Sequence, residues 1–319
     1  MKVCYLIQTH KNPEQIYRLV RLIKTLSPDS QVIVSHDLTN CNLELAAFHD
    51  LSRVQVFQGK AARGSFALVQ KYLDAVDWLL SHNIDFDWLI NLTGQDYPTQ
   101  HLSKIENFLA QTSYDGFIEY FQVCSKQSQW SIREGYSRYF YSYQQFIKDL
   151  PEWLQKVSTP LKVINYIQSF FRINFSYGLS LGVRASAPFN EDLICYGGSF
   201  FCTLSRKCIQ YLNEFSRTHP DVVDYYRHVG VPEESFIQTV LLSSGLFNLC
   251  NDCKRYFDFS RSRNGHPRIL TIDDYPSLLQ DNIHFARKFD FTQDSKILDL
   301  LDARILNINQ ASTLEMNPF

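Results

Sequence analysis

The chain has 319 residues, of which 45% are hydrophobic and 20% charged, a composition typical of a globular protein with a sizeable core. Its formal net charge of −2 at pH 7 gives no general attraction to nucleic acid, so we expect no nucleic-acid partner. Aromatic residues make up 14% of the chain, and such side chains fill cores and also form surfaces on which sugar rings and bases stack.

The amino terminus is predicted to be part of the fold rather than a targeting segment. Met1 and Lys2 lead directly into the apolar run 3–7, with no apolar leader and no small-residue cleavage site. No run in the chain approaches about 18 uninterrupted apolar residues, the minimum for a membrane-spanning helix. We therefore expect a cytoplasmic protein.

The eight cysteines show no regular spacing, so we expect reduced and mostly buried thiols. Cys250 and Cys253 form a single C-x-x-C pair. A structural zinc site needs about four ligands, and no second pair or histidine cluster accompanies this one. We therefore expect no metal ion there.

Strands and helices alternate through the first hundred residues. The pair Asn12-Pro13 is typical of a helix start, and apolar residues recur on one face until Pro28 ends the helix. A second amphipathic helix is predicted over 65–82. Strands are predicted over 3–8, 31–34, 54–57 and 87–92. This order is typical of a mostly parallel sheet flanked by helices.

The rest of the chain is less regular. Residues 151–175 carry apolar and basic side chains at helical spacing, which indicates either a helix packed on the core or a peripheral contact with the inner face of a membrane. The other predicted elements are strands over 117–121 and 200–204, helices over 205–217 and 295–305, and a helix that opens with Glu233-Glu234. No linker or repeat interrupts the sequence, so we predict one domain over residues 1–319.

The strand over 87–92 ends in a loop, 94–98, at the sheet edge where ligands bind in open α/β folds. Asp85 and Asp87 spell a D-x-D motif, but they precede the strand, whereas metal ligands belong after it. Asp96 is the single acid at that edge, and a lone carboxylate is a poor Mg²⁺ site unless substrate phosphates supply the other ligands. The glycine-rich motifs of P-loop and dinucleotide-binding proteins are absent from the sequence.

Four segments, in order, resemble the motifs of the core-2/I-branching β-1,6-N-acetylglucosaminyltransferases, a family that also includes the peptide O-xylosyltransferases. These segments are 91–98, 198–206, 232–239, and 266–268 with 285–290. The resemblance implies a GT-A (Rossmann-like) α/β fold with a central, mostly parallel sheet flanked by helices. In such a fold residues 1–115 would form the nucleotide-binding half, and residues 116–319 the acceptor-binding and catalytic half.

The resemblance also implies an inverting mechanism without a catalytic metal ion, with Glu234 as the general base. A single in-line displacement needs one carboxylate to take the proton of the attacking hydroxyl. A place in the first turn of a helix would lower the pKa of that carboxylate. The alternative is that Glu233 and Glu234 only favour a helix start, as acidic residues commonly do.

Arg268 and Lys288 match the basic pair with which the family holds the departing diphosphate. Fixed cations can stabilise the charge that develops on a leaving phosphate much as Mg²⁺ does. Arg287 is the rival of Lys288 for this role, although the pattern around 285–290 favours Lys288. The alternative is that both are ordinary surface cations.

Three further residues complete the UDP-sugar site that the resemblance implies. Asp37 would contact the uridine, although an aspartate after a strand is also a common cap. Asp96 would face the donor from the sheet edge. Arg63 occupies a position at which relatives carry an aromatic residue beside the nucleotide.

On the acceptor side, the resemblance points to Arg133, Arg138, Ser199, Phe259 and Arg261. Ser199 either touches the acceptor or closes a turn. Phe259 offers a ring on which a sugar could stack, and Arg261 indicates a more polar or anionic acceptor.

We therefore predict a transferase that moves a sugar, GlcNAc in the first instance, from a UDP-sugar co-substrate to a hydroxyl of a glycan or lipid-linked glycan acceptor. We expect neither a cofactor nor a divalent metal ion. UDP-xylose is the alternative donor within the same family. A catalytically silent glycan- or nucleotide-binding module and a metal-dependent transferase are the alternatives from other classes, because a fold alone does not determine chemistry.

Overall fold

The computed structural model describes residues 1–59, 65–147, 165, 168–175, 179–260 and 266–314. Its strands are β1 (Val3–Thr9), β2 (Gln31–Asp37), β3 (Val54–Gly59), β4 (Trp88–Thr93), β5 (Asp96–Pro98), β6 (Gly116–Ile118), β7 (Phe121–Gln122), β8 (Tyr141–Ile147), β9 (Phe171–Asn174), β10 (Leu179–Arg184), β11 (Tyr196–Gly197), β12 (Cys202–Ser205), β13 (Leu249–Cys250), β14 (Arg255–Tyr256) and β15 (Phe285–Arg287). Its α-helices are α1 (Pro13–Leu26), α2 (Ala67–Ser81), α3 (Leu102–Gln111), α4 (Ile132–Tyr139), α5 (Arg206–Thr218), α6 (Pro220–Arg227), α7 (Phe236–Ser243) and α8 (Lys296–Leu314).

Among the described residues, seven strands form the central sheet in the order β13-β6-β12-β4-β1-β2-β3. Strand β1 pairs in parallel with β2 and β4, and β2 pairs in parallel with β3. Strand β12 runs antiparallel to both of its neighbours, β4 and β6. The α/β fold with a mostly parallel central sheet, predicted from the sequence, is confirmed.

Helices cover both faces of this sheet, and β1 shows how the sequence specifies two cores. Successive side chains of a strand point to opposite faces. Cys4 and Leu6 pack in one apolar cluster with residues of α2, α5 and α7. Tyr5 and Ile7 pack in the other cluster with residues of α1, α3 and α8. A strand buried on both faces reads as a continuous apolar run, and every residue of β1 is buried.

Three smaller sheets complete the described part of the fold: β8-β10-β9, β11-β7 and β14-β15-β5. The last of these joins the strand-end loop to the carboxyl-terminal third of the chain, because β15 pairs with β5 between Ala286 and Tyr97. The eight cysteines are free thiols, and five of them are buried. No helix in the described ranges has both the length and the apolarity that crossing a membrane requires.

Most elements of the first hundred residues begin and end within about three residues of their predicted bounds, whereas three later predictions are wrong in detail. The strand predicted over 117–121 is divided into β6 and β7. The strand predicted over 200–204 begins at Cys202. The helix predicted to open with Glu233-Glu234 is a 3-10 turn, Pro232–Glu234, and α7 starts only at Phe236.

The predicted amphipathic helix over 151–175 falls mostly outside the described residues. In its described part, Phe171–Asn174 is a strand, so the helix prediction is wrong there. The reason is pairing with β10, together with two hydrogen bonds between the Asn165 side chain and the main chain of Ile173, each 2.8 Å long. A membrane contact through this segment stays a prediction.

A buried arginine links the central sheet to the small sheet β14-β15-β5 by hydrogen bonds. Arg255 is 9% exposed, and its guanidinium donates to the main-chain oxygens of Cys253 (2.6 Å), Asn91 (2.7 Å) and Cys202 (3.3 Å). Asn91 lies in β4 and Cys202 in the neighbouring β12, so one side chain links both strands to β14. Hydrogen bonds from a charged donor are stronger than neutral ones.

Replacing Arg255 by methionine is therefore expected to lower the free energy of unfolding by about 3 kcal/mol, because it leaves buried carbonyl oxygens without their donor. The measurement is urea-induced unfolding followed by tryptophan fluorescence. Arg217→Met is the matched control, since Arg217 pairs with the exposed Asp77 and such pairs contribute at most about 1 kcal/mol. Equal losses of unfolding free energy in the two variants would show that the Arg255 hydrogen bonds do not stabilise the fold.

Candidate functional site

The parallel strands β1, β2 and β4 end side by side at Thr9, Asp37 and Thr93. Buried His36 joins the first two ends: its Nδ1 lies 2.8 Å from the Thr9 hydroxyl oxygen, and its Nε2 lies 2.7 Å from the main-chain oxygen of Cys41. A carbonyl can only accept, so Nε2 carries the proton and the threonine hydroxyl donates to Nδ1. This chain of contacts holds the loop that follows β2 against β1.

Asp37 lies at the end of β2, as predicted. Its Oδ1 accepts hydrogen bonds from the main-chain nitrogen of Thr39 (3.0 Å) and from the Thr39 hydroxyl (2.7 Å). These contacts close a local turn, whereas the alternative left open by the sequence was a helix cap; the next helical segment, Leu45–Phe48, begins only eight residues later. The contact with uridine stays a prediction.

Asp96 is 1% exposed, and both of its carboxylate oxygens are engaged within the protein. Oδ2 accepts from the main-chain nitrogen of Thr93 (2.6 Å), and Oδ1 accepts from Nε of Arg287 (2.8 Å). The guanidinium carbon of Arg287 lies 4.0 Å from the centre of the Phe201 ring. Asp96 thereby orients Arg287 at the sheet edge, and a role of Asp96 towards the donor stays a prediction.

The structure brings the predicted diphosphate-binding residues into neighbouring segments. The main-chain nitrogen of Leu270 donates to the main-chain oxygen of Lys288 (2.8 Å), which places the segment of Arg268 beside that of Lys288. Arg268 Nε donates to Asp258 (2.5 Å), and its two terminal nitrogens donate to Asp274. The guanidinium is thereby held in one orientation while 26% of its side chain stays exposed.

The two acids beside Arg268 remain charged near neutral pH. Hydrogen bonds from Ser260 and Arg268 lower the pKa of Asp258 to about 2. The pKa of Asp274 also lies below its ordinary value, since hydrogen bonds from Arg268 and Thr271 outweigh the opposing effect of burial. A phosphate that binds Arg268 therefore joins an ion-pair network that is already formed.

Glu234 stands at the end of the 3-10 turn, and Val231 before this turn has a left-handed backbone (φ 54°). The main-chain oxygen of Glu234 accepts from the nitrogen of Gly198 (2.9 Å), and the side-chain Oε2 of Glu234 accepts from a terminal nitrogen of Arg138 (2.6 Å). Burial raises the pKa of Glu234 above its ordinary value, although Arg138 opposes the rise. The predicted lowering by a helix start is wrong, because α7 begins two residues later and desolvation dominates.

A close backbone approach fixes the position of this carboxylate. A Cβ atom on Gly198 would lie 1.9 Å from the main-chain oxygen of Glu119 and 2.7 Å from its carbonyl carbon. Only glycine fits there. The next residue, Ser199, closes the turn: its hydroxyl accepts from the nitrogen of Phe201 (3.3 Å), and its main-chain oxygen accepts from Gln238 (2.7 Å). An acceptor contact by Ser199 stays a prediction.

Of the three arginines predicted on the acceptor side, two lie in the described residues, and one of these, Arg138, contacts Glu234. The terminal nitrogens of Arg138 donate to Glu134 and to Glu234, each at 2.6 Å, and its guanidinium carbon lies 4.2 Å from the Trp130 ring centre. Arg133, on the same helix, donates to the main-chain oxygen of Asn165 (2.7 Å). Among the partners that sequence reasoning missed, Glu134 could have been found, because it precedes Arg138 by four residues.

Phe259 is 53% exposed and starts a row of rings. Its centre lies 6.1 Å from that of Phe257, which lies 6.2 Å from that of Phe201, the ring beneath Arg287. Such a row offers a face for a sugar. Arg63 and Arg261 lie outside the described residues. Within the described ranges, no three His, Cys, Asp or Glu side chains are grouped closely enough to hold a metal ion.

The family model described as Core-2/I-Branching enzyme matches residues 3–281 of this chain. Similar proteins include the beta-glucuronosyltransferases GlcAT14A and GlcAT14B of Arabidopsis thaliana. GlcAT14A is 27% identical over 75% of this chain and 47% of its own length, and GlcAT14B is 24% identical over 93% and 61%. Xylosyltransferase 2 of Rattus norvegicus is 22% identical over 95% of this chain and 33% of its own. The chain thus spans about half the length of the first two relatives.

Among solved structures, S. aureus TarS 1-349 in complex with UDP-GlcNAc is 12% identical and covers 46% of this chain and 40% of its own, with a TM-score of 0.29. HddC from Yersinia pseudotuberculosis is 14% identical over 66% of this chain and 78% of its own, with a TM-score of 0.30. These two structures are too distant to support an inference about function.

The packing around Gly198 predicts a large effect of one methyl group. Gly198→Ala should lower the free energy of unfolding by about 3 kcal/mol, because the atoms that its Cβ would meet belong to the backbone and cannot rotate away. Chemical denaturation measures the loss. Gly59→Ala is the control, since its Cβ would meet nothing within 4 Å, and a change within about 1 kcal/mol is expected. Similar behaviour of the two variants would show that the close approach is not maintained.

Proposed function

This chain belongs to the Core-2/I-Branching enzyme family, and from that membership we propose that it is an inverting, metal-independent glycosyltransferase. The transferred sugar comes from a UDP-sugar and goes to a hydroxyl of a glycan or lipid-linked glycan acceptor. The observation that carries the proposal is the state of Glu234, a carboxylate with a raised pKa that Arg138 holds beside the Gly198 turn. Such a carboxylate is suited to accept a proton.

In the proposed reaction the acceptor hydroxyl oxygen attacks the anomeric carbon of the donor sugar, and Glu234 takes the hydroxyl proton. The bond between that carbon and the diphosphate oxygen breaks, and UDP leaves with the bonding electron pair. One displacement inverts the configuration at the anomeric carbon. A carboxylate with a raised pKa is the stronger base for this step, provided that it is ionised at the working pH.

Arg268 and Lys288 are proposed to stabilise the departing UDP. The two carboxylates that hold Arg268 keep its guanidinium in a fixed orientation, so little reorganisation accompanies phosphate binding. Fixed cations supply the positive charge that Mg²⁺ would otherwise supply. Asp96 supports the same edge through Arg287.

The donor that the sequence resemblance implies is UDP-GlcNAc. The names of the relatives introduce two competitors, because they designate glucuronosyl- and xylosyltransferases. The three donors differ at the sugar and share the UDP that Arg268 and Lys288 would hold. A catalytically silent module on the same fold would bind UDP but would not cleave any UDP-sugar to release UDP.

The first test is isosteric removal of the base. Glu234→Gln should lower UDP release by about 100-fold or more, because general-base catalysis contributes at least this much. The assay supplies UDP-GlcNAc, UDP-xylose and UDP-glucuronate separately in EDTA and measures UDP. Calorimetry should show that the variant still binds UDP.

Glu233→Gln is the matched control for this test, one residue away and of the same chemistry. It should retain UDP release close to that of the unaltered protein. If Glu233→Gln lost UDP release and Glu234→Gln kept it, Glu233 rather than Glu234 would be the base. UDP binding without release from any donor would favour the silent module, and the absence of UDP binding would overturn the proposal.

The second test separates diphosphate from nucleoside recognition. Arg268→Gln should weaken UDP binding by about tenfold or more, because a charge-assisted contact to phosphate is lost, and should leave uridine binding unchanged. Isothermal titration calorimetry in EDTA with UDP and uridine measures both affinities. Equal weakening for the two ligands would mean that Arg268 acts only through the fold.

A further inference from the structure

We propose that Arg138 is the positioning residue of this site, whose guanidinium holds the carboxylate of Glu234 in place and in its charged form. The proposal rests on the function proposed above, in which Glu234 is the base. It replaces the sequence assignment of Arg138 to acceptor binding with a role on the protein's own carboxylate.

The guanidinium of Arg138 binds two carboxylates at once. One terminal nitrogen of Arg138 donates to Oε2 of Glu234, and the other donates to Oε1 of Glu134, each over 2.6 Å. The Trp130 ring lies 4.2 Å from the guanidinium carbon and supports the group from one face. A planar guanidinium that is fixed at both nitrogens and at one face cannot rotate away from the base.

The end of α4 is itself fixed to the turn that carries Glu234. The main-chain nitrogen of Gly230 donates to the main-chain oxygen of Arg138 over 2.8 Å. The hydroxyl of Tyr139 donates to the main-chain oxygen of Val231 over 3.2 Å. The contact between Arg138 and Glu234 therefore joins two segments whose backbones are already linked.

The charges around Glu234 explain why the guanidinium is needed. Burial raises the pKa of Glu234, the charges of Glu134 and Glu119 raise it further, and Arg138 alone among these neighbours lowers it. The Tyr139 hydroxyl also lies close and is neutral, because burial raises its own pKa well above the ordinary value. Two carboxylates thus repel the charge of Glu234, and one guanidinium offsets them. Without that guanidinium, the pKa of Glu234 would rise further above its ordinary value.

Two substitutions that remove opposite charges give shifts of opposite sign. Arg138→Gln should move the acid limb of the kcat/KM profile upward by about 1 pH unit or more, because the pKa of Glu234 rises when the cation is lost. Glu134→Gln should move the same limb downward by about half a unit, because a repelling charge disappears. The assay is UDP release in EDTA with the donor that the unaltered protein uses.

A purely structural role of Arg138 does not predict opposite shifts. Arg184→Gln is the control, since Arg184 contacts Tyr136 of the same helix from the exposed side, and its profile should match that of the unaltered protein. In Arg138→Lys, a cation remains but cannot reach both acids, so an intermediate shift is expected. An acid limb that stays in place in Arg138→Gln would overturn the proposal and return Arg138 to acceptor binding.

A readout that does not depend on turnover separates this proposal from the function on which it rests. Carbon-13 labelling of the glutamate carboxyl groups allows Glu234 to be titrated by NMR, with Glu234→Gln identifying its signal. An upward shift of the Glu234 titration in Arg138→Gln supports the pairing even if the protein releases no UDP. An unchanged titration overturns the pairing even if Glu234 proves to be the base.

Discussion

The contact between Gly198 and Glu119 is the constraint from which the geometry at Glu234 follows. A side chain at 198 would overlap the backbone of Glu119, so the two chains can approach only because position 198 is glycine. The same glycine donates its nitrogen to the main-chain oxygen of Glu234. Tyr120, the neighbour of Glu119, is held at both its nitrogen (2.8 Å) and its oxygen (2.9 Å) by Asn251. Three segments that are distant in sequence thus meet through backbone atoms, and the side-chain amide of Asn251 joins a fourth segment to them.

Three arginines of the site share a second property, since a carboxylate already binds the guanidinium of each. Arg138 binds Glu134 and Glu234, Arg268 binds two aspartates, and Arg287 binds Asp96. These carboxylates orient the guanidinium groups and reduce the net positive charge around them. A carboxylate partner therefore fixes the orientation of the guanidinium and weakens its attraction for a diphosphate, which is itself negative. It also means that the number of basic residues in the sequence overstates the positive field that a ligand meets.

The sequence was sufficient for elements whose signals are local. The helix after Pro13 and the buried run of β1 each carry their own pattern, and the alternation of strands and helices predicted a mostly parallel sheet flanked by helices. Contacts within the site carry no such pattern, because Arg138 and Glu234 are 96 residues apart and Asp96 and Arg287 are 191 apart. The direction of the Glu234 pKa shift was misjudged for the same reason, since a helix start is legible in a sequence and the removal of water is not.

The arrangement also separates the proposed proton transfer from the proposed departure of UDP. The base depends on α4 and on the turn before α7, which the Gly198 contact joins. The cations for the diphosphate depend on the segments around Arg268 and Lys288, which a main-chain hydrogen bond from Leu270 joins. Phe201 follows the Ser199 turn, and its ring lies under the guanidinium of Arg287. The guanidinium carbon of the buried Arg255 lies 5.7 Å from the centre of the same ring, and Arg255 also donates to the main-chain oxygen of Cys202 in β12. The central sheet therefore supports Arg287 through Phe201, independently of the contacts that hold Glu234.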